Sequence, residues 1–360
     1  MAKLAVGDIT GMATAILDKY RKNAITDLCT DVQKHTALSS LMKKSRMAWD
    51  GGEQFTFVYQ GSTNGSARVT GLFDDDSIVV TDDIGTGRIP IKHFTCNTAF
   101  DKKESVFNQG AARIVDHIKL RKRAAIGDMH KYMETALWTA LSASTDEGLW
   151  GLPMAITYPT TYSARGFVGG NPSGWTSGYA GISSTTVPRW ANYFDEYTEK
   201  NYDDLGLKWI RAALECDFTP IVPYAGARTR GGYGYYTNQD MLVELYRVIR
   251  SQNDNWGQAI DAGAAGDPLF RRVPVNYVRI LDDAKTADTD TRAEMGAYDP
   301  IYGINWSTFK IFFFKSEWMA LTVKPSATKH GVTECHWDLS ANVGCVNRRP
   351  NFLLAHSDLC

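Results

Sequence analysis

Residues 104–141 read ESVFNQGAARIVDHIKLRKRAAIGDMHKYMETALWTAL, and this stretch decides the architecture. Phe107, Ala111, Ile114, Ile118, Ala125, Met129, Tyr132, Met133, Ala136, Leu137, Ala140 and Leu141 recur at roughly every 3.6 residues. Arg113, Asp116, Lys119, Arg121, Lys122, Arg123, Lys131 and Glu134 fill the other faces. No proline interrupts the pattern, and Gly127 is its only glycine after the start. At 1.5 Å per residue such a helix runs about 50 Å, beyond the three or four turns of an ordinary globular helix. The pattern predicts a spine that other elements lie across, with its apolar stripe against a sheet.

Upstream, Gly51-Gly52 breaks the chain. Phe55, Phe57 and Tyr59 then alternate with Gln54, Thr56 and Val58, which reads as a strand. Turn chemistry comes next at 60–66, then Asp74-Asp75-Asp76, Ile78-Val79-Val80 and Gly85-Thr86-Gly87, before Arg88-Ile89-Pro90-Ile91-Lys92 and Phe94 return as a strand. Residues 51–95 are thus a long two-stranded excursion with little core of its own. An isolated ribbon is marginal in water, so it must pack on another part of this chain or on another subunit. Residues 1–50 carry short apolar stripes (Ile25, Leu28, Val32; Leu38, Leu41, Met42) among Lys19, Arg21, Lys22, Lys34, Lys43, Lys44 and Arg46. They read either as a basic arm or as an N-terminal helical layer.

Downstream, Gly148-Leu149-Trp150-Gly151-Leu152-Pro153 ends the spine, and 165–182 reads as a long surface loop. Trp190 to Tyr197 and Leu205 to Leu214 read as helices, and Pro220 to Tyr224 as a buried strand. Residues 239–252 give a second amphipathic helix, with Met241, Leu242, Leu245, Val248 and Ile249 on one face. Strands are predicted at Val273–Ile280 and, as one long aromatic element, at Tyr302–Phe314. The stretch from Cys335 to Leu353 alternates weakly.

Composition narrows the function classes. A chain of 360 residues allows two or three domains at about 150 residues each. Its 44% apolar and 22% charged residues are globular values. A net charge of -1 provides no bulk positive field for nucleic acid, so any basic surface must be local. Six cysteines at unequal spacings make no disulfide framework, and all six are expected to be reduced. The opening MAKLAVGDIT lacks an apolar signal core. Lys310, Lys315 and Glu317 break the most apolar stretch, 304–323, which excludes a membrane span there. The expectation is a soluble protein made in a reducing compartment. Ten Trp, 17 Tyr and 31 Gly favour a β-rich, loop-rich chain with large contact surfaces.

The usual signatures of catalysis are missing. Gly85-Thr86-Gly87-Arg88 lacks the further glycine and the helix that would cradle phosphate. There is no G-x-S-x-G elbow, no H-E-x-x-H and no paired C-x-x-C. Cys335-His336, Cys345, His356 and Cys360 fit no standard zinc spacing. Asp288 and Asp290 begin like a calcium loop, but Arg292 and Ala293 occupy a ligand position and the obligatory glycine position. Asp74–Asp76 reads as a solvated loop. Nothing selects a carboxylate pair for glycoside chemistry. No catalytic, cofactor-binding or metal-binding residue is therefore named. Lys119, Arg121, Lys122 and Arg123 cluster on the spine; they read as a solvated face, as inter-subunit ion pairs, or as contacts to nucleic-acid phosphate.

The order of parts, together with four stretches, carries a family likeness. The stretches are Arg88-Ile89-Pro90-Ile91 through Phe107-Asn108-Gln109-Gly110 into the spine, Gly148 to Pro153, Gly181-Ile182-Ser183-Ser184-Thr185-Thr186 with Trp190-Ala191-Asn192, and Val273-Pro274-Val275 ahead of Ile304-Asn305. This resembles the major capsid proteins of tailed bacteriophages, with the Hong Kong 97-type capsid fold, an α+β class. The resemblance implies an N-terminal arm at 1–50 and an extended β loop at 51–92. It implies a peripheral domain with the spine helix at 93–149 and 318–360, and an axial domain at 150–317.

The resemblance further implies a non-enzymatic structural subunit of an icosahedral phage head. It would self-assemble through hexamers and pentamers around packaged double-stranded DNA held without sequence preference, in the virion, after assembly in the host cytoplasm. Phe55, Phe57, Tyr59, Arg68 and Arg88 are the inter-subunit contact candidates, and Lys119, Arg121, Lys122 and Arg123 the DNA-facing ones. The implied partners are a separate scaffolding protein, a portal and a decoration protein, with no cofactor and no membrane. An encapsulin-type compartment shell is the alternative sharing the fold. A carbohydrate-active enzyme or binding module, suggested by the aromatic count, is the alternative from a different class.

Overall fold

The structure is a computed structural model that describes residues 36–44, 46–62, 68–72, 84–103, 111–159, 165–217, 232–252, 268–282 and 298–356. In chain order the elements are α1 (Thr36–Lys44), β1 (Arg46–Trp49), β2 (Gln54–Gln60), β3 (Ile84–Pro90), β4 (Lys92–Asp101), α2 (Ala111–Trp138), α3 (Leu152–Ala155), β5 (Tyr193–Tyr197), α4 (Leu207–Glu215), β6 (Tyr233–Thr237), α5 (Gln239–Gln252), β7 (Leu269–Phe270), β8 (Val273–Tyr277), β9 (Tyr298–Asn305), β10 (Phe309–Phe314), β11 (Ala320–Pro325), β12 (Val332–Cys345) and β13 (Phe352–His356).

The spine is α2, 28 residues and about 42 Å long. Residues 104–110 of the predicted helix lie outside the described residues, as does the side chain of Ile118. The helix stops at Trp138 rather than 141. There the Thr139 N–H turns back to the Ala136 carbonyl, and the Thr139 hydroxyl donates to the Thr135 carbonyl. Ala125, Met129, Met133, Leu137 and Trp138 are buried, and Tyr132 meets Phe94 of β4 with ring centroids 5.7 Å apart. The apolar stripe therefore faces a sheet, as its period requires.

That sheet has five strands, β1-β10-β12-β11, with β4 on the other edge of β12. In β12, Cys335, Trp337 and Leu339 are buried while Glu334, His336 and Asp338 are half-exposed. From Leu339 onward both faces are covered, so the alternation fades, and a 14-residue central strand reads only weakly in the sequence.

A second sheet has six strands in the order β5-β13-β9-β6-β8-β7. One face (Phe194, Tyr236, Tyr302, Ile304, Leu353) joins the main core. The other (Tyr193, Tyr235, Val275, Ile301, Phe352, Leu354) is covered by Trp209 and Ala212 of α4 and Met241 and Leu245 of α5. Burial on both faces explains why the stretch from Trp190 to Tyr197 reads as helix yet forms β5. The predicted helices at 205–214 and 239–252 appear as α4, entered through a π-helical turn at Tyr202–Gly206, and as α5. The strand expected at 220–224 lies outside the described residues.

The chain passes between the sheets three times. It first goes from β4 through the spine to β5. Two short crossovers follow, from β9 of the six-stranded sheet to β10 of the five-stranded sheet through Trp306–Thr308, and back from β12 to β13 through Val346–Asn351. The single strand predicted over 302–314 is thus two strands in two sheets. The division expected at 317/318 does not follow the sheets either: β10 precedes it yet pairs with β12, and β13 lies beyond it yet pairs with β5 and β9.

One further expectation is corrected. Residues 165–182 are no surface loop, since Trp175, Tyr179, Ala180 and Ile182 are buried in the core. Of the two readings of residues 1–50, arm or helical layer, the described part at 36–49 follows the layer: Ala37, Leu38 and Leu41 are buried and β1 pairs in parallel with β10. Glu134, which the helical pattern places on a polar face, is buried instead. Its carboxylate accepts the Ala37 and Leu38 N–H groups at 3.2 and 2.8 Å and the Trp138 indole N–H at 3.1 Å. It satisfies the first free donors of α1 from the side of the spine.

Candidate assembly site

The excursion is a hairpin with Phe55 opposite Ile89, Phe57 opposite Gly87 and Tyr59 opposite Gly85. The glycines are there for the rings: a Cβ on Gly87 would lie 2.4 Å from Phe57 Cζ, and one on Gly85 2.4 Å from Tyr59 Cζ. Each ring folds across the opposing backbone where no side chain stands in the way. Gly85-Thr86-Gly87 is thus a ring-packing device rather than an anion cradle.

The ribbon's inner face lies on its own chain. Phe55 stacks on Phe312 of β10 with centroids 3.9 Å apart. Phe57 and Tyr59 lie 6.1 and 6.2 Å from Trp190, and the buried Ile89 side chain fills the space above Gly344 of β12. The expectation that a neighbouring subunit covers Phe55, Phe57 and Tyr59 is corrected accordingly. An alternating strand shows that one face is buried, but not by whom.

The outer face is different. Val58 and Ile84 are each 70% exposed, and farther out Val69 and Leu72 are 100% and 91% exposed. Gln60 pairs with Ile84 and Val58 with Thr86, so Val58 and Ile84 are diagonal neighbours on one surface. The Arg68 and Arg88 side chains are also exposed. The Arg88 N–H, by contrast, donates to the Ala180 carbonyl at 2.9 Å.

The seat beneath the ribbon comprises Tyr179-Ala180, Val187 and Trp190. Ala180 has φ 58°, a left-handed conformation that costs a non-glycine residue energy. The Trp190 indole N–H donates to the Tyr179 carbonyl at 3.3 Å. The Tyr179 hydroxyl accepts the Cys345 N–H at 3.0 Å. Close by, the fully buried Arg348 guanidinium donates to the carbonyls of Ala155, Gly170 and Trp190, to Thr157 Oγ1 and to Asn192 Oδ1. Burial pulls its pKa down to about 10, so it keeps its charge at neutral pH. Sequence reasoning named neither Trp190 nor Arg348 as functional. An arginine next to Arg349 on a chain turn reads as surface charge.

The basic cluster on the spine is divided. Arg121 donates to the Ala99 carbonyl of β4 at 2.9 Å and so faces the sheet, while Lys122 and Arg123 are exposed. The Lys119 side chain lies outside the described residues. Cys96, Cys216, Cys335 and Cys345 form no disulfide, and burial pushes the Cys345 thiol up to about 12. Cys29 and Cys360 lie outside the described residues. Among the described residues no group of three or more His, Cys, Asp or Glu side chains is placed to hold a metal ion, and no helix is long and apolar enough to cross a membrane.

No family model matches the sequence, and no curated protein matches it. Solved structures do. The chain is similar to a subunit of the cyanophage A-1(L) capsid at 16% identity, with a TM-score of 0.63 over 93% of this chain and 96% of that one. It is similar to the capsid of the empty GTA particle at 11% identity and a TM-score of 0.57, over 93% and 100% of the two chains. For the native GTA particle the values are 12% and 0.55, over 95% and 97%. The chain thus has the α+β fold of phage capsid subunits, the fold class that its sequence resemblance implies.

Proposed function

We propose that this chain is the structural subunit of an icosahedral phage head, closing through hexamers and pentamers around double-stranded DNA. The observation that carries this reading is the ribbon: it is seated on its own chain by one face and presents Val58, Ile84, Val69 and Leu72 to solvent on the rest. Apolar groups left open on an extended element are stabilised when a second copy covers them, which links the full stability of the ribbon to assembly. The capsid fold supports the same reading. DNA contact is then non-specific and electrostatic, through exposed spine residues such as Lys122 and Arg123. A separate scaffolding protein, a portal and a decoration protein complete the head, which is assembled in the host cytoplasm and resides in the virion. The role is structural, not enzymatic.

Negative-stain microscopy and solution mass of the purified protein test this. Closed particles or capsomers that convert to them are expected. A small oligomer that never closes, at any concentration or ionic strength, would overturn the proposal.

A further inference from the structure

We infer that Arg348 is the positioning residue that seats the ribbon. It sits on the crossover from β12 to β13, and its side chain reaches under three separate stretches of chain. Nε donates to the Ala155 carbonyl at 2.7 Å, at the end of α3. Nη2 reaches Thr157 Oγ1 at 2.7 Å, the Gly170 carbonyl at 2.8 Å and Asn192 Oδ1 at 3.1 Å. Nη1 donates to the Trp190 carbonyl at 3.1 Å. Every one of these acceptors is neutral. A buried charge held only by dipoles is stable only when those dipoles are fixed and converge on it. The guanidinium therefore orders the carbonyls around it as much as they hold it, and its planar fork allows several to be bound at once.

The link to the ribbon runs through Trp190. Its backbone is held by Arg348, and its ring is the surface on which Phe57 and Tyr59 rest. Its indole N–H ties it to the Tyr179 carbonyl, and the next carbonyl, that of Ala180, takes the Arg88 N–H of β3. Tyr179 is in turn fixed by the Cys345 N–H, three residues before Arg348. Both ends of the seat are thus tied to one short segment, 345–348. The ribbon meets Trp190 and the Ala180 carbonyl, and the arginine acts on it through that seat. The inference rests on the proposed assembly role only for its consequence, that a loosened seat misplaces the outer face of the ribbon for the next subunit.

The test is hydrogen–deuterium exchange on the unassembled full chain, comparing amides of 54–60 and 84–90 with those of the spine at 125–138. Arg348→Gln is expected to speed ribbon exchange about tenfold or more while the spine keeps its protection, as a local opening does. Arg348→Lys, which keeps the charge but not the fork, should give a smaller increase. Tyr179→Phe removes only the tie to Cys345 and should act in the same direction, which keeps the inference testable if Arg348→Gln does not fold. Met133→Ala is the control, destabilising the core away from the seat. Ribbon exchange that stays at the wild-type rate in Arg348→Lys and Tyr179→Phe, or rises no more than in Met133→Ala, overturns the inference. A variant whose ribbon exchanges faster yet still closes normal shells upholds the seat and overturns the ribbon's assembly role.

Discussion

The Asn351 side-chain amide donates to Thr308 Oγ1 at 3.2 Å, and that bond joins the two short crossovers between the sheets, β9 to β10 and β12 to β13. The same amide donates to the carbonyls of Asn347 and Arg348, and Asn351 Oδ1 accepts the Asn305 N–H at 2.8 Å. The Val346 N–H closes the junction on the Thr308 carbonyl at 2.9 Å. One buried side chain thus satisfies donors and acceptors from both crossovers, where neither sheet's own ladder reaches. Asn351→Ala leaves the Asn305 N–H without its acceptor, while the Arg348 carbonyl keeps the Asn351 backbone N–H and the Asn347 carbonyl keeps the Cys345 thiol. At about 1–3 kcal/mol per buried unpaired group, the expected loss is about 1–3 kcal/mol. Urea unfolding of the unassembled protein measures it; a loss below about 1 kcal/mol would contradict the junction's role.

At Gly87 the ribbon depends on a missing side chain. Gly87→Ala drives the new Cβ into the Phe57 ring, which must then leave its place beside Trp190. Overpacking of this kind costs about 1–3 kcal/mol. Phe57→Ala removes the ring that causes the clash, so Gly87→Ala should cost far less in that background. A double-mutant cycle reads the difference as a coupling of about 1–2 kcal/mol. Additive effects would mean that the ring does not lie across Gly87.

Acid sensitivity has one identifiable source at the entry to α4. Asp204 Oδ1 lies 2.5 Å from Lys208 Nζ, and Oδ2 accepts the N–H groups of Thr198 and Glu199 at 2.7 and 2.9 Å. Partial burial opposes the charge, but Lys208 and these donors outweigh it and hold the carboxyl at about 2, against 3.8 when unperturbed. The folded-state value is the lower one. The stabilisation is therefore complete above about pH 4 and is lost as pH falls toward about 2. Asp204→Asn should be less stable than wild type at pH 5, with the gap closing between about pH 4 and 2. Urea midpoints at several pH values give the answer; a gap independent of pH would contradict it.

How far the sequence could be read depends on which faces are covered. The spine and β2 each have one wet side, so their periods of 3.6 and 2 survive in the residues. β5, β13 and the second half of β12 are buried on both sides and leave no period to find. The crossover at Trp306–Thr308 carries no glycine or proline, so nothing marks the change of sheet. Glu134 and Arg348 fail for another reason. A lone charge in a helical or turn pattern is ordinarily solvated, and only the three-dimensional arrangement shows free N–H groups converging on one and carbonyls on the other. The aromatics of β2 were identifiable as a buried face, but whether their cover belonged to this chain or to its neighbour was not.

The outer face of the ribbon carries the sharpest consequence for assembly. Val58 and Ile84 are diagonal neighbours on the solvent side of the hairpin, opposite to the rings. Replacing both with Asp should change the stability of the unassembled chain by no more than about 0.5 kcal/mol, as for surface positions generally. The proposed assembly role requires that a second copy cover the same positions in a shell. Full burial of a Val or Ile there contributes about 1.5–3 kcal/mol each, whereas a buried unpaired carboxylate opposes the contact strongly. The double variant Val58→Asp, Ile84→Asp is therefore expected to fold, to melt like wild type and to form no closed particles in micrographs. Val58→Ala, Ile84→Ala, which only trims the apolar surface, should assemble at a higher protein concentration. Closed shells from the double Asp variant at the wild-type concentration would show that this face stays open to solvent and that another surface joins the subunits.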